Sequence, residues 1–180
     1  MHRLIAINKT KDIPSQYRRN PIGRLLEYHN LQRLFEKYSQ AQLLIGMCMD
    51  NRKHLHIPDN FAFIIRTGGA NLRYSEFKVS YTIAVGGISS IALIGHNNCG
   101  MVNLASRKDL FIQGLTRRGG WQKKDAEEHF MNFSTMFEIG SETDFILSEV
   151  KRLRLRYPKV TIAPMLYKVE DNRLYLLGEK

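Results

Sequence analysis

Five side chains carry most of the chemistry this sequence offers: Cys48, Asp50 and Arg52 at every second position, then His96 and Cys99 three apart. A strand sends alternate residues to one face, so the first three are expected to leave a strand together, with a thiol, a carboxylate and a guanidinium in reach of one another. His96 and Cys99 lie in the run His96, Asn97, Asn98, Cys99 and Gly100, where a turn lets both grip one ion, and Cys48 is the only other thiol in the chain. Two thiolates and one imidazole suit zinc, with the fourth tetrahedral position left to water or a carboxylate. Two other readings of the cysteines stand beside this one. They can be small buried apolar residues, or a Cys48–Cys99 disulfide, which leaves His96 and the Asp–Arg pair without a role.

The elements that must position these groups follow from hydrophobic spacing. Residues 1–21 show little periodicity, are punctuated by Pro14 and Pro21, and read as an N-terminal arm; residues 22–180 read as a single domain. A first amphipathic helix is expected over 22–38, through Ile22, Leu25, Leu26, His29, Leu34, Phe35 and Tyr38. Short apolar runs at 42–50, 61–66 and 90–95 predict strands buried on both faces, separated by a glycine-rich loop at 66–71 and a helix over 73–85. After Gly100 the chain turns helical, with a polar break at 117–120 and further helices over 124–137 and 141–157. Strands at 160–169 and 173–177 then meet through the turn Glu170, Asp171 and Asn172. The expected class is α/β: a central sheet of about four parallel strands plus a final antiparallel one, flanked by helices. In such sheets a site lies beyond the carboxyl ends of the strands where strand order reverses, so the strands ending at Cys48 and His96 should be neighbours.

Composition bounds the rest. With 27 basic and 17 acidic side chains the formal charge is +10, which raises acidic partners as a possibility, although a basic surface alone accounts for it. Two cysteines make no disulfide framework, residues 1–14 lack the apolar stretch of a secretory signal, and the apolar run at 81–95 is shorter than the ~20 residues a membrane span needs. A cytoplasmic protein with reduced thiols and no membrane partner is expected.

The pattern of Cys48, Asp50 and Arg52, then Arg66 to Asn71, then His96, Cys99 and Gly100 resembles the β-class carbonic anhydrases, in the compact branch of that family. The likeness extends over about residues 43–177 and takes in the hairpin with Met165, Leu166, Tyr167, Val169 and Glu170. It implies one zinc per subunit on Cys48, His96 and Cys99, with Asp50 and Arg52 as a dyad whose aspartate either assists zinc-bound hydroxide or swings in as fourth ligand. It also implies reversible hydration of carbon dioxide to bicarbonate, a homodimer or homotetramer with the pocket at a subunit interface, and the N-terminal segment wrapped over the neighbour. Two thiolates cancel the ion's charge, so its water should be less acidic than the value of about 7 seen with three histidines, and activity should rise on the alkaline side. Two alternatives remain: hydrolysis of carbonyl sulfide or carbon disulfide on the same fold, and a non-catalytic zinc or basic binding protein.

Smaller features divide between pocket and scaffold. Gly68 and Gly69 lack the full spacing of a dinucleotide fingerprint and are expected, with Gly100, to line the substrate pocket. A helix opening at Gly100 would turn its positive end toward Cys99 and favour the thiolate. Asn97 and Asn98 read as turn residues, and His54 and His56 as exposed loop histidines with a proton shuttle as the sharper alternative. The interval between Cys48 and His96 is short for the family, which points to a trimmed loop at 54–60. Ile45 stands about where bicarbonate-regulated members carry a tryptophan, so regulation of that type is not expected. The basic stretch Lys151, Arg152, Arg154, Arg156 and Lys159 reads as the solvated face of an amphipathic helix, and nucleic acid is not expected as a partner.

Overall fold

The structure, a computed structural model, describes residues 2–179. Met1 and Lys180, the outermost residues of the expected arm and domain, lie outside the described residues. Six strands form one sheet: β1 (Leu4–Ile5), β2 (Leu43–Cys48), β3 (Ala62–Thr67), β4 (Ser90–His96), β5 (Thr161–Lys168) and β6 (Arg173–Leu177), in the order β1-β6-β5-β4-β2-β3. β3, β2, β4 and β5 are parallel, and β6 turns back antiparallel to β5 as expected. β1, which two residues of sequence could not announce, adds an antiparallel edge through Leu4↔Leu177 and Ile5↔Leu176.

The alternation of side chains divides the core in two. Ile45, Met47, Ala92, Ile94, Ala163 and Met165 point to one face, under α2 (Pro21–Leu31). Leu44, Ile91, Leu93 and Ile162 point to the other, under α6 (Glu142–Arg156) and Val79 of α3 (Glu76–Ala84). Each buried Leu, Ile or Met among them stabilises the fold by about 1.5–3 kcal/mol, in keeping with the burial of β2 and β4 at every position. Two more helices, α4 (Lys108–Gly119) and α5 (Lys123–Phe137), form a hairpin between β4 and α6.

Three expectations are corrected. The helix expected over 22–38 stops at Leu31, because Gln32 turns left-handed at φ 55°, and Leu34, assigned to its apolar face, is 88% exposed. Its start is secured by Asn20, whose Oδ1 accepts the Ile22 N–H at 2.9 Å, with Pro21 at the first helical position. The segment expected as an arm lies on the domain's own core: Ile7, Ile13 and Tyr17 are buried, and a short helix α1 (Ser15–Arg18) leads into α2. β3 is not buried on both faces but is the sheet edge, with Phe63 and Ile64 exposed. No helix of the described residues is long and apolar enough to cross a membrane.

β4 comes so close to α6 that a Cβ on Gly95 would stand 2.7 Å from Cγ1 of the fully buried Ile146. Gly95→Ala should therefore destabilise the fold by about 1–3 kcal/mol through overpacking, read as a lower midpoint in urea unfolding at unchanged slope.

Candidate metal centre

β2 and β4 lie side by side, and their carboxyl ends deliver Cys48 and His96. β4 then runs into a turn with Asn98 at φ 56°, which brings Cys99 back over the strand ends. The Cys48 and Cys99 sulfurs are 3.9 Å apart, and one ligand atom from each of Cys48, His96 and Cys99 lies within 4.8 Å of the others. All three residues are buried. The sulfurs are free thiols, which removes the disulfide reading.

The donor set fits zinc. Two sulfurs each about 2.3 Å from a tetrahedral ion stand about 3.8 Å from each other, close to the separation found. The Nδ1 of His96 lies 2.9 Å from the Asn97 carbonyl, so it carries the proton, and Nε2 keeps its lone pair. That Nε2 is buried and has no hydrogen-bond partner. The thiols meanwhile compete for one proton: the hydrogen bond from Cys99 holds Cys48 down to about 3, and Cys99 is held well above the ordinary range by that bond to Cys48 and by burial. A dication between them removes this conflict by taking the proton's place. Backbone N–H groups of Asp50 and Gly69 also favour the Cys48 thiolate, and that of Met101 favours Cys99.

Asp50 and Arg52 reach the site by a different route from the one expected. The strand ends at Cys48, so the three groups do not share a strand face. Asp50 instead starts a tight turn, its Oδ1 accepting the Arg52 N–H at 2.9 Å. The guanidinium then closes on the same carboxylate, with Nε 3.0 Å from Oδ1 and Nη2 2.7 Å from Oδ2, and Nη2 also donates to the Asn98 carbonyl at 2.9 Å. These bonds hold the Asp50 carboxyl well below the usual range. Its Oδ2 is 3.8 Å from His96 Nε2.

Two cations that spacing did not single out complete the turn. Arg66 spans the carbonyls of Cys48, Asp50 and Lys53 at 3.3–3.4 Å. Lys53 is fully buried, donates to the Asp50 carbonyl at 3.0 Å, and is pushed down by burial. Neither had a local signal, since isolated Lys and Arg residues read as solvent-facing. Glu142, at the start of α6, accepts the Cys99 N–H at 3.1 Å.

The helix expected to open at Gly100 is absent: turns lead to a 3₁₀ segment at Leu104–Arg107, and α4 begins only at Lys108, nine residues beyond Cys99. A Cβ on Gly100 would meet nothing within 4 Å. Gly68 and Gly69 are both buried, and Gly69, at φ 62°, takes a conformation few other residues adopt. Asn97 ties the turn to the hairpin, accepting the Val169 N–H and donating to Glu170, the scaffold role its place implied. His54 and His56 are exposed, and the His56 amide binds His29. Beside the centre, Met49, Gly68, Met101, Phe111, Phe130 and Phe137 help to line a predominantly apolar cleft of about 260 Å³. In the basic stretch, Arg152 and Arg156 pair with Glu76 and Arg154 pairs with Glu179. Arg152 also pairs with Glu149, which leaves Lys151 and Lys159 outside the ion pairs among the described residues.

No family model matches the sequence, and no curated protein does. Solved structures do match. A carbonic anhydrase from Glaciozyma antarctica is 25% identical over 74% of this chain and 80% of its own, with a TM-score of 0.58. The β-carbonic anhydrase isoform I of Trichomonas vaginalis covers 81% of this chain and 88% of its own at 21% identity and a TM-score of 0.63. An apo form of carbon disulfide hydrolase covers 73% and 76% at 22% identity and a TM-score of 0.53.

Replacing one thiol tests the ligand set. Cys48→Ser should purify without stoichiometric zinc where the native chain carries it, as read by metal analysis, and chelator should lower the melting temperature of the native chain but not of the variant.

Proposed function

The chain has the fold of the β-carbonic anhydrases, and from that premise we propose that it is a zinc enzyme hydrating carbon dioxide reversibly to bicarbonate. The observation that carries this reading is the buried Cys48, His96 and Cys99 cluster with the Asp50–Arg52 pair beside it at the strand ends. Zinc held by those three residues supplies a Lewis acid that makes a nucleophile from water near neutral pH. The chain's own groups do the rest. Asn97 fixes the imidazole of His96 through its carbonyl, so that Nε2 faces the ion. Asp50 offers a carboxylate oxygen 3.8 Å from that nitrogen, able to accept a hydrogen bond from whatever occupies the fourth position. Arg52 keeps both carboxylate oxygens engaged, which holds that position free for water. Thr67, paired in register with Cys48, has a buried hydroxyl without a partner that can donate to a substrate oxygen. The apolar cleft beside Met49 and Gly68 favours a neutral, weakly hydrated molecule over an anion on the way in.

The same cleft favours a second reading, hydrolysis of carbonyl sulfide or carbon disulfide. Its volume far exceeds what carbon dioxide fills, its lining includes Met49 and Met101, and one of the fold's relatives is named a carbon disulfide hydrolase. Ion pairs at Arg152, Arg154 and Arg156 make the basic stretch a poorer docking face and favour the enzyme over a non-catalytic basic binding protein. The reading includes the cytosol, where both thiols stay reduced.

It also includes a second copy of the chain. Edge strand β3 exposes Phe63 and Ile64, and the neighbouring α3 and its end expose Phe77, Tyr81 and Val85. The two elements adjoin, because a Cβ on Gly86 would stand 2.8 Å from the Phe63 ring. Apolar surface of this extent beside an unpaired edge suits burial against a like surface.

Stopped-flow measurement of carbon dioxide hydration, with zinc quantified per chain, tests the activity; full zinc without hydration but with sulfide released from carbonyl sulfide selects the second reading. Arg52→Ala should lower turnover about 10–100-fold at unchanged zinc content, the range expected for loss of a group that orients the immediate surroundings of a metal. The assembly is tested by light scattering, where native protein should weigh at least twice its 20.9 kDa chain and Phe77→Lys should shift mass toward the single chain.

A further inference from the structure

We propose that Lys53 is a positioning residue of this centre, its buried ammonium holding Asp50 on Arg52 and off the metal position. The proposal rests on the metal reading above and adds to it a second cation acting from the dry side of the dyad.

Lys53 has 0% of its side chain exposed. Lysine is almost never buried completely unless its charge is paired. Glu149, the other fully buried charged side chain of the core, shows ordinary pairing, since it receives Nε of Arg73 and both Nε and Nη2 of Arg152. Lys53 has nothing comparable. Among the described residues, its side chain makes one hydrogen bond, to the Asp50 main-chain carbonyl at 3.0 Å. Among the described residues the carboxylate within 4.0 Å of Nζ is that of Asp50, whose Oδ1 is 3.9 Å away. The buried charge is supported by the nearby Cys48 sulfur and by Asp50, and of these the Asp50 carboxylate is the partner within 4.0 Å, so moving Asp50 would weaken its support.

The carboxylate needs such a restraint. Oδ2 already stands 3.8 Å from the metal-facing nitrogen of His96, so a small rotation delivers it to the ion. Arg52, the partner legible from sequence, is 44% exposed and works through solvent that screens it. Lys53 has no exposed side-chain surface, so its pull on Oδ1 is screened less. Arg52 sets the geometry of the carboxylate by its hydrogen bonds, and Lys53 supplies a fixed field behind it. The Asp50 carbonyl bond alone would make Lys53 a turn lock, a role that a neutral donor fills equally well, and this separates the two ideas.

The test uses the full chain loaded with cobalt(II) and titrated with sodium azide, the visible spectrum reporting occupation of the fourth position. Both Lys53→Met and Lys53→Gln should bind azide about ten-fold more weakly than the native chain, because Asp50 then occupies that position. In an Asp50→Ala background, adding Lys53→Met should leave azide affinity unchanged. Native-like azide binding in Lys53→Gln would overturn the proposal in favour of the turn lock. A loss that persists without Asp50 would overturn it in favour of direct attraction between Lys53 and the anion. Failure of both Lys53 variants to take up cobalt would make the residue structural and overturn it likewise. A native chain that takes up no cobalt sinks the metal reading and this proposal together, whereas cobalt uptake with azide affinity indifferent to Lys53 sinks this one alone.

Discussion

Two sulfurs 3.9 Å apart in a buried pocket are the constraint on which the structure turns. The hydrogen bond that Cys99 gives to Cys48 holds Cys48 low, and that same bond together with burial holds Cys99 high, so the two share one proton. The third member of the cluster offers no proton to ease this, because His96 directs its Nδ1–H to Asn97 and leaves a bare Nε2 facing the sulfurs. A pocket that holds two thiols and an unsatisfied imidazole nitrogen is stable as a ligand set and strained as anything else. Amides aimed at both sulfurs, from Asp50, Gly69 and Met101, belong to the same design.

The sheet exists in the form it does to make that meeting possible. From β2 the chain moves outward to β3, then crosses back to place β4 on the opposite side of β2, so the gap beyond their carboxyl ends opens at the reversal of strand order. Buried at every position, β2 and β4 sit in the middle of the sheet, and Gly95 lets α6 press close enough to bring Glu142 onto the Cys99 amide. Ligand placement is thus tied to core packing on the α6 face rather than to the loops alone.

How much of this the sequence announced depended on whether a feature was local. Apolar runs ending at Cys48 and His96 revealed both strands and their burial, their adjacency was inferred from where such sites lie, and the hairpin of 160–169 and 173–177 followed from its turn. The side-chain period of two misled at Asp50 and Arg52, because the strand ends at Cys48 and Asp50 opens a turn by accepting the Arg52 amide. Helical spacing misled at Leu34, where apolar residues at the right interval belong to an extended segment with Phe35 packed on Tyr28. Gly100 suggested a helix start that Asn103, left-handed at φ 51°, postpones. Lys53 left no mark and Arg66 only as the start of the glycine-rich loop: their roles come from carbonyls and a carboxylate gathered by the turn, and no spacing rule encodes which lysine will be closed off from water.

What results is a centre with two unlike walls. On one side Arg52, Lys53 and Arg66 surround the Asp50 turn with three positive charges, one exposed and one sealed. On the other, Met49, Met101 and Phe137 border an apolar cleft with almost nothing to offer a charged molecule. A reaction that consumes a neutral molecule and produces an anion needs this asymmetry, since the apolar wall costs a neutral substrate little and the cationic wall stabilises charge as it forms. The cationic wall cannot be strengthened without limit, because an anion held too firmly would not leave. On the proposed hydration, Asp50 answers that difficulty: its carboxylate neutralises one of the three charges at the point nearest His96, so a forming anion would be attracted without being retained. On that reading the carboxylate would govern product release as well as partner the fourth position, through the same salt bridge.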